Sequence, residues 1–118
     1  MDTVLEIKDL TKVYKNGRGI WDINLEIERG NIFGFLGPNG AGKTTAMKIM
    51  TGLMKADKGD VKIFGHSVID DYEKAMYKVS SIIETAQVYG YLTAYENLKL
   101  ISRFYDDVDD KRIDEVLE

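Results

Sequence analysis

Among its 118 residues the chain has no cysteine, one proline, one histidine and one tryptophan. Missing thiols exclude disulfides, thiolate metal sites and a cysteine nucleophile, which suits a cytoplasmic chain. The lone histidine, His66, follows Phe64-Gly65 in a predicted turn, where a surface role is expected over catalysis. Long hydrophobic runs are also lacking. MDTVLEIKDL at the start alternates charged and apolar residues, so neither a signal peptide nor a membrane span begins there. Nor is there an excess of positive charge. The formal net charge is -4, which gives no general attraction to a phosphate polymer or an anionic bilayer. Nucleic acid is therefore not an expected partner, and any bound anion has to be held by a local device. No internal repeat, low-complexity tract or linker is visible.

What is present is ordinary globular material, 44% hydrophobic and 31% charged, enough for one modest core. Leu5 and Ile7 alternate with Glu6 and Lys8. Trp21, Ile23, Leu25 and Ile27 alternate with Asp22, Asn24, Glu26 and Glu28. Both patterns predict half-buried antiparallel strands, separated by loop chemistry over Lys15-Asn16-Gly17-Arg18-Gly19. Arg29-Gly30-Asn31 is a turn leading into Ile32 to Leu36, apolar at every position except Gly34 and predicted as a central strand covered on both faces. From Lys43 the period changes, and Ala46, Met47, Met50 and Leu53 mark one face of a short helix. Asp57-Lys58-Gly59-Asp60 predicts a turn and Val61 to Phe64 a brief strand ending at Gly65. A helix is expected from Asp70 with Glu73 as capping-box partner, then a strand over Val79 to Ile83. Thr93-Ala94-Tyr95-Glu96 is a second capping signature, opening a helix with Leu98, Ile101 and Tyr105 on its apolar side. A last helix is predicted from near Asp109. Its stripe of Ile113, Val116 and Leu117 runs to Glu118 without a cap, so the chain reads as cut before its natural end. The acids between Asp106 and Glu118 fit helix termini better than a metal cluster.

Between the apolar run and the first helix lies GPNGAGKTT, Gly37 to Thr45. It fits the phosphate-loop pattern Gly-x-x-x-x-Gly-Lys-[Ser/Thr] in its required strand-to-helix context. Glycines at 37, 40 and 42 let the backbone take positive φ and keep side chains away, so successive amides can turn inward around a phosphate. The helix aims its positive dipole end at the same place. Lys43 supplies a mobile charge for the β and γ phosphates. The Thr44 hydroxyl is a hard ligand for Mg2+, and Thr45 is expected to touch the α phosphate.

Together with LTKVYKNG around Tyr14, TGLMKADKGDVKIFG and IIETAQVYGYLTAYENLKL, this loop resembles the N-terminal part of the ATP-binding subunit of ABC transporters, from about Leu5 to the end. The resemblance implies an α/β P-loop NTPase core with an N-terminal antiparallel β subdomain, truncated before the remaining sheet strands. Residues 1–118 would then be the N-terminal part of one ATP-binding domain. It also implies ATP and Mg2+ as cofactors, and Tyr14, Gly37, Pro38, Asn39, Gly40, Ala41, Gly42, Lys43, Thr44 and Thr45 as the binding residues. Tyr14 would stack on the adenine ring; its alternative is edge packing at the end of a strand. Where the family carries a glutamine that meets Mg2+ and the attacking water, the alignment on SSIIET places Glu84, with Gln87 three residues too late. Glutamate there resembles exporters of the bacitracin and lantibiotic type. Lys43 and Glu84 are accordingly the candidate catalytic residues, and Thr44 and Glu84 the candidate metal ligands; a solvated strand end is the other reading of Glu84.

Two of the family's motifs are missing from these 118 residues: four apolar residues followed by Asp-Glu, and the Leu-Ser-Gly-Gly-Gln-like signature. Asp114-Glu115 and Asp70-Asp71 do not have the required apolar run before them. Two classes of function follow. Either the chain is the front of an ATPase that works as a dimer with transmembrane permease subunits, on the cytoplasmic face of a membrane, to drive export, or it is a nucleotide-binding module without turnover. A soluble, non-transport relative is a third reading.

Overall fold

The structure, a computed structural model, describes residues 2–38, 40–83 and 85–118. The chain forms two compact units, Met1–Ile83 and Glu84–Glu118.

The first unit is built on a four-stranded sheet of order β2-β1-β3-β4, comprising β1 (Thr3–Val13), β2 (Gly19–Glu28), β3 (Lys58–Ile63) and β4 (His66–Ser67). Every pairing in it is antiparallel. One face is apolar. Ile7, Leu10 and Ile20 meet Val61, Ile63 and Val68 there, and Ala46 and Ile49 of α1 (Lys43–Met50) and Ala75 of α2 (Tyr72–Met76) close over them. Small alanines on the helices let their backbones approach the sheet, while branched strand residues fill the gap.

The β1–β2 pairing contains three register irregularities, and the last two are opposed. Ile7 pairs with Leu25, Leu10 with Ile23 and Lys12 with Ile20, so the register shifts twice. Asp9 and Asp22 take left-handed backbone conformations, φ 50° and 48°, and each is held by a side chain on the other strand. Asn24 Oδ1 accepts from the Asp9 amide at 3.0 Å, and Thr11 Oγ1 accepts from the Asp22 amide at 3.0 Å. An inserted residue reverses the inward-outward phase of a strand. Trp21, predicted on the buried face with Ile23, Leu25 and Ile27, is consequently exposed, and Ile20 is the residue turned inward.

β3 and β4 are joined by Phe64-Gly65, both at positive φ, a two-residue turn whose twist suits a hairpin. His66 therefore opens β4 instead of lying in the turn, with its Nδ1 3.1 Å from Asp71 Oδ2. β3 also begins earlier than predicted, at Lys58, because Gly59 at φ 85° runs against β1 where a Cβ would come within 2.4 Å of Lys8 O. α2 starts at Tyr72 with Asp71 as N-cap, and no side chain caps it, so the capping box expected between Asp70 and Glu73 does not form.

Two predicted strands are absent among the described residues. Ile32 to Leu36 pairs with no strand; Ile32 is fully exposed and Leu36 is 94% exposed. Val79 to Ile83 is likewise unpaired, with Ile82 exposed and only Val79 packed against the core. A strand exists only through its ladder partners. Neither run has a neighbour among the described residues to supply them.

The second unit carries α3 (Ala94–Ser102) and α4 (Asp110–Leu117). The capping box at Thr93 forms as predicted: Thr93 Oγ1 accepts from the Glu96 amide, and Glu96 Oε1 accepts from the Thr93 amide. The Thr93 amide, the largest influence on it, holds the Glu96 carboxyl below its ordinary range. Asp109 caps α4 by accepting from the Arg112 amide. The Asn97 carboxamide bonds the carbonyls of Tyr89, Leu92 and Thr93 and accepts from the Tyr89 amide, shaping the loop before α3. Among the described residues no group of three or more acidic or histidine side chains could hold a metal, and no helix is long and apolar enough to cross a membrane.

Candidate nucleotide cleft

A cleft of about 520 Å³ opens in the first unit where the β1–β2 turn faces the glycine-rich loop. One wall is Tyr14, Asn16, Arg18 and Gly19; the other is Gly40, Gly42, Lys43, Thr44 and Thr45. The loop wall is placed by a close contact. Gly42 caps α1 at φ 96°, and a Cβ there would lie 2.3 Å from Ile20 Cγ2. The residue that the β2 bulge turns inward thus sets how near the loop comes to the sheet, and only glycine permits both that approach and that backbone angle. Gly40 also has positive φ, 85°. Gly37 does not: it is absent from the left-handed glycines, so the expectation of positive φ at all three positions holds for two. Its limit is steric, since a Cβ would come 3.2 Å from that of Ala41.

Inside the loop, the Lys43 ammonium donates to Gly37 O and, at 3.3 Å, to Pro38 O. The Ala41 amide donates to Pro38 O at 3.1 Å. Phosphate oxygens, being charged, are stronger acceptors than these carbonyls, so an entering anion competes well for the ammonium. The first α1 amides and the positive dipole end meet at the same point.

Across the cleft Tyr14 is 37% exposed, and its hydroxyl is 2.8 Å from Thr45 Oγ1 and 3.4 Å from Met54 Sδ. The ring is thus tied to the loop helix at its far end. At its near end, the strand is pinned by Asp57, whose Oδ2 accepts from the Val13 amide at 2.8 Å and whose Oδ1 lies 3.3 Å from the Lys12 ammonium. The Val13 amide first, then the lysine, hold the Asp57 carboxyl below the usual carboxylate range. Its own amide donates to Thr11 O.

Of the residues expected from sequence, Tyr14, Gly40, Gly42, Lys43, Thr44 and Thr45 come together around the cleft, with Gly37, Pro38 and Ala41 behind them. Asn39 and Glu84 lie outside the described residues. Asn16 and Arg18 were not anticipated as lining. The available signal was a basic residue between two glycines in the turn directly after Tyr14. Among the described residues no carboxylate lines the cleft. A second hollow of about 410 Å³ between sheet and helices is lined mainly by apolar residues such as Leu10, Ile49 and Val61, and it lies away from the glycine-rich loop.

Comparison with known proteins agrees with this geometry. The chain is 46% identical over its full length to an uncharacterized ABC transporter ATP-binding protein, YhcH, of Bacillus subtilis. It is 37% and 41% identical, again over its full length, to the bacitracin transport ATP-binding proteins BcrA of Bacillus licheniformis and Enterococcus faecalis. It spans 38% to 39% of the length of these relatives. A solved ATP-binding subunit of an ABC transporter superposes with a TM-score of 0.81 at 33% identity, covering 90% of this chain and 44% of that one. A dimeric ATP-binding cassette in a post-hydrolysis state, bound to ADP and Pi, gives 0.80 at 27% identity, covering 94% and 54%. The cleft thus sits on a fold shared with ATP-binding subunits, and since residues 20–118 match the ABC transporter family model, the chain belongs to that family.

Proposed function

We propose that the cleft binds Mg-ATP and that the complete protein hydrolyses it, as a dimer, to drive export through transmembrane permease subunits on the cytoplasmic face of a membrane. The observation that carries the binding step is the placement of the Lys43 ammonium and the Thr44 and Thr45 hydroxyls opposite the Tyr14 ring in one cleft. In this reading the loop amides and Lys43 hold the phosphate tail, and Tyr14 offers its face to adenine. The donor set fits a nucleotide-borne ion: Thr44 is a hydroxyl ligand, and among the described residues the cleft offers no carboxylate cage of its own. Mg2+ held by Thr44 would neutralise charge on the β and γ oxygens. Export and dimerisation are supported by the likeness of this chain to part of the bacitracin transport proteins and of the dimeric cassette, and permease contact belongs to the same reading.

Glu84 remains the proposed second metal ligand and water-orienting residue, on its alignment alone. A second reading for these 118 residues taken alone is binding without turnover, because the apolar run followed by Asp-Glu that would activate water is missing from their sequence. Ground-state phosphate contacts without water activation lower no barrier.

Titration calorimetry with Mg-ATP tests the reading. The chain is expected to bind, and Lys43→Ala to lose at least about tenfold in affinity, the equivalent of one charge-assisted hydrogen bond. Absence of heat with either adenine or guanine triphosphates on folded protein would remove the assignment. ATP turnover by the 118-residue chain that vanishes in Lys43→Ala would overturn the binding-only part.

A further inference from the structure

We propose that Arg18, on the turn between β1 and β2, is a second cationic contact for the polyphosphate of the bound nucleotide, facing Lys43 from the opposite wall. The inference rests on the nucleotide reading above and adds a residue to it.

Arg18 lines the same cleft as Lys43, Thr44 and Thr45. Among the described residues its guanidinium has no carboxylate or hydrogen-bond partner; only its main chain is engaged. Other cations nearby are differently placed. Lys12 is paired with Asp57, and Lys15, its neighbour in the turn, does not line the cleft. In a chain of net charge -4, two cations and, among the described residues, no carboxylate around one opening form a local anion site that bulk charge would not create.

The turn is also stiff, which an exposed arginine needs if it is to contribute specificity. The Tyr14 amide donates to Arg18 O at 2.7 Å and the Gly17 amide to Tyr14 O at 2.9 Å. The Arg18 amide donates to Asn16 Oδ1 at 3.0 Å. Gly17 has φ 80°, and a Cβ on Gly19 would come 2.0 Å from Lys12 O. Arg18 is thereby held at fixed distance from the Tyr14 backbone, while the Tyr14 hydroxyl is tied to Thr45. A planar fork of donors on such a mount suits two oxygens of a phosphate chain better than a point charge does.

Calorimetric titrations of the chain with Mg-ATP and with adenosine, at low and high salt, test this on Arg18→Ala, Arg18→Lys and Lys15→Ala, each first checked for an unchanged circular-dichroism melt. Arg18→Ala is expected to weaken Mg-ATP binding by about five- to tenfold and to flatten its salt dependence, since one screened charge contact is gone. Adenosine affinity is expected to stay within about twofold, Arg18→Lys to recover part of the loss, and Lys15→Ala to change little. Mg-ATP affinity insensitive to Arg18→Ala would overturn the proposal. So would an equal loss for adenosine, which would place the guanidinium on the base, or an equal loss in Lys15→Ala, which would make the effect one of general charge. If the unchanged chain takes up no Mg-ATP, the nucleotide reading itself has failed, a result distinct from binding that ignores Arg18.

Discussion

β2 and the segment Ile32 to Leu36 are neighbours in the chain with opposite fates. β2 alternates apolar with acidic or polar residues and is a strand; Ile32 to Leu36 is almost wholly apolar and is not. Ladder partners make the difference. β2 pairs with β1 from Gly19 to Glu28, whereas no described strand runs beside Ile32 to Leu36. Hydrophobicity says that a segment gains by burial; it does not supply the neighbour that satisfies the backbone. The loop and α1 that follow the unpaired run are nonetheless positioned, because Gly42 packs on Ile20 of β2 and Ala46 and Ile49 join the core of the antiparallel sheet.

Five substitutions sharpen this contrast. The largest effect on binding is expected from Gly42→Val, which places a branched side chain into Ile20 and forces a β-branched residue to φ 96°. Mg-ATP binding should fall below detection in calorimetry, with a loss of stability of roughly 2–4 kcal/mol in denaturant unfolding. Retained binding would mean that Ile20 does not set the loop. Next, Ile7→Ala in the core, where Ile7 is 1% exposed, should cost about 2–5 kcal/mol. Leu36→Ala in the more hydrophobic but unpaired run should stay within about 0.5 kcal/mol. Equal costs would break the comparison by showing that the run is buried in solution.

Asp57→Asn removes the carboxylate that pins the end of β1 below Tyr14. Because the folded carboxyl is held below its ordinary value, its contribution is present above the unfolded carboxyl range near pH 4 and is lost as pH falls through the lower folded value. Wild-type stability should therefore decline in that acid window, and the variant should be less stable at neutral pH with a flatter profile there. An effect smaller than in the core is expected in the second unit, where Thr93→Ala opens the capping box and should cost about 1 kcal/mol, read as reduced helicity and earlier melting of α3. An unchanged melt would show that Glu96 or Asn97 suffices to start the helix.

Local chemistry made much of the molecule readable in advance. Thr93 and Glu96 announce a helix start because both halves of the capping box sit three residues apart on one backbone. Gly40, Gly42 and Lys43 announce a phosphate loop because its geometry is written in consecutive residues. The helix at Asp109 and the hairpin partner β3 are legible on the same grounds. Less legible were features that depend on a second segment. The outward turn of Trp21 required the Asp22 bulge and the Thr11 hydroxyl that holds it. The link from Tyr14 to Thr45 and Met54 joins residues 31 and 40 positions apart. Arg18 had no visible role until the turn was seen to face the loop.

The sequence alone determined the chain's phosphate-loop pattern, the starts of α3 and α4 and its family, since each rests on residue types at short fixed spacing whose conformational preferences act locally. The tertiary structure decided which apolar runs become strands, which face Ile20 and Trp21 present, and which side chains share the cleft. Those outcomes depend on non-local partners, and a backbone hydrogen bond or a packed face has no meaning until the second surface is in place.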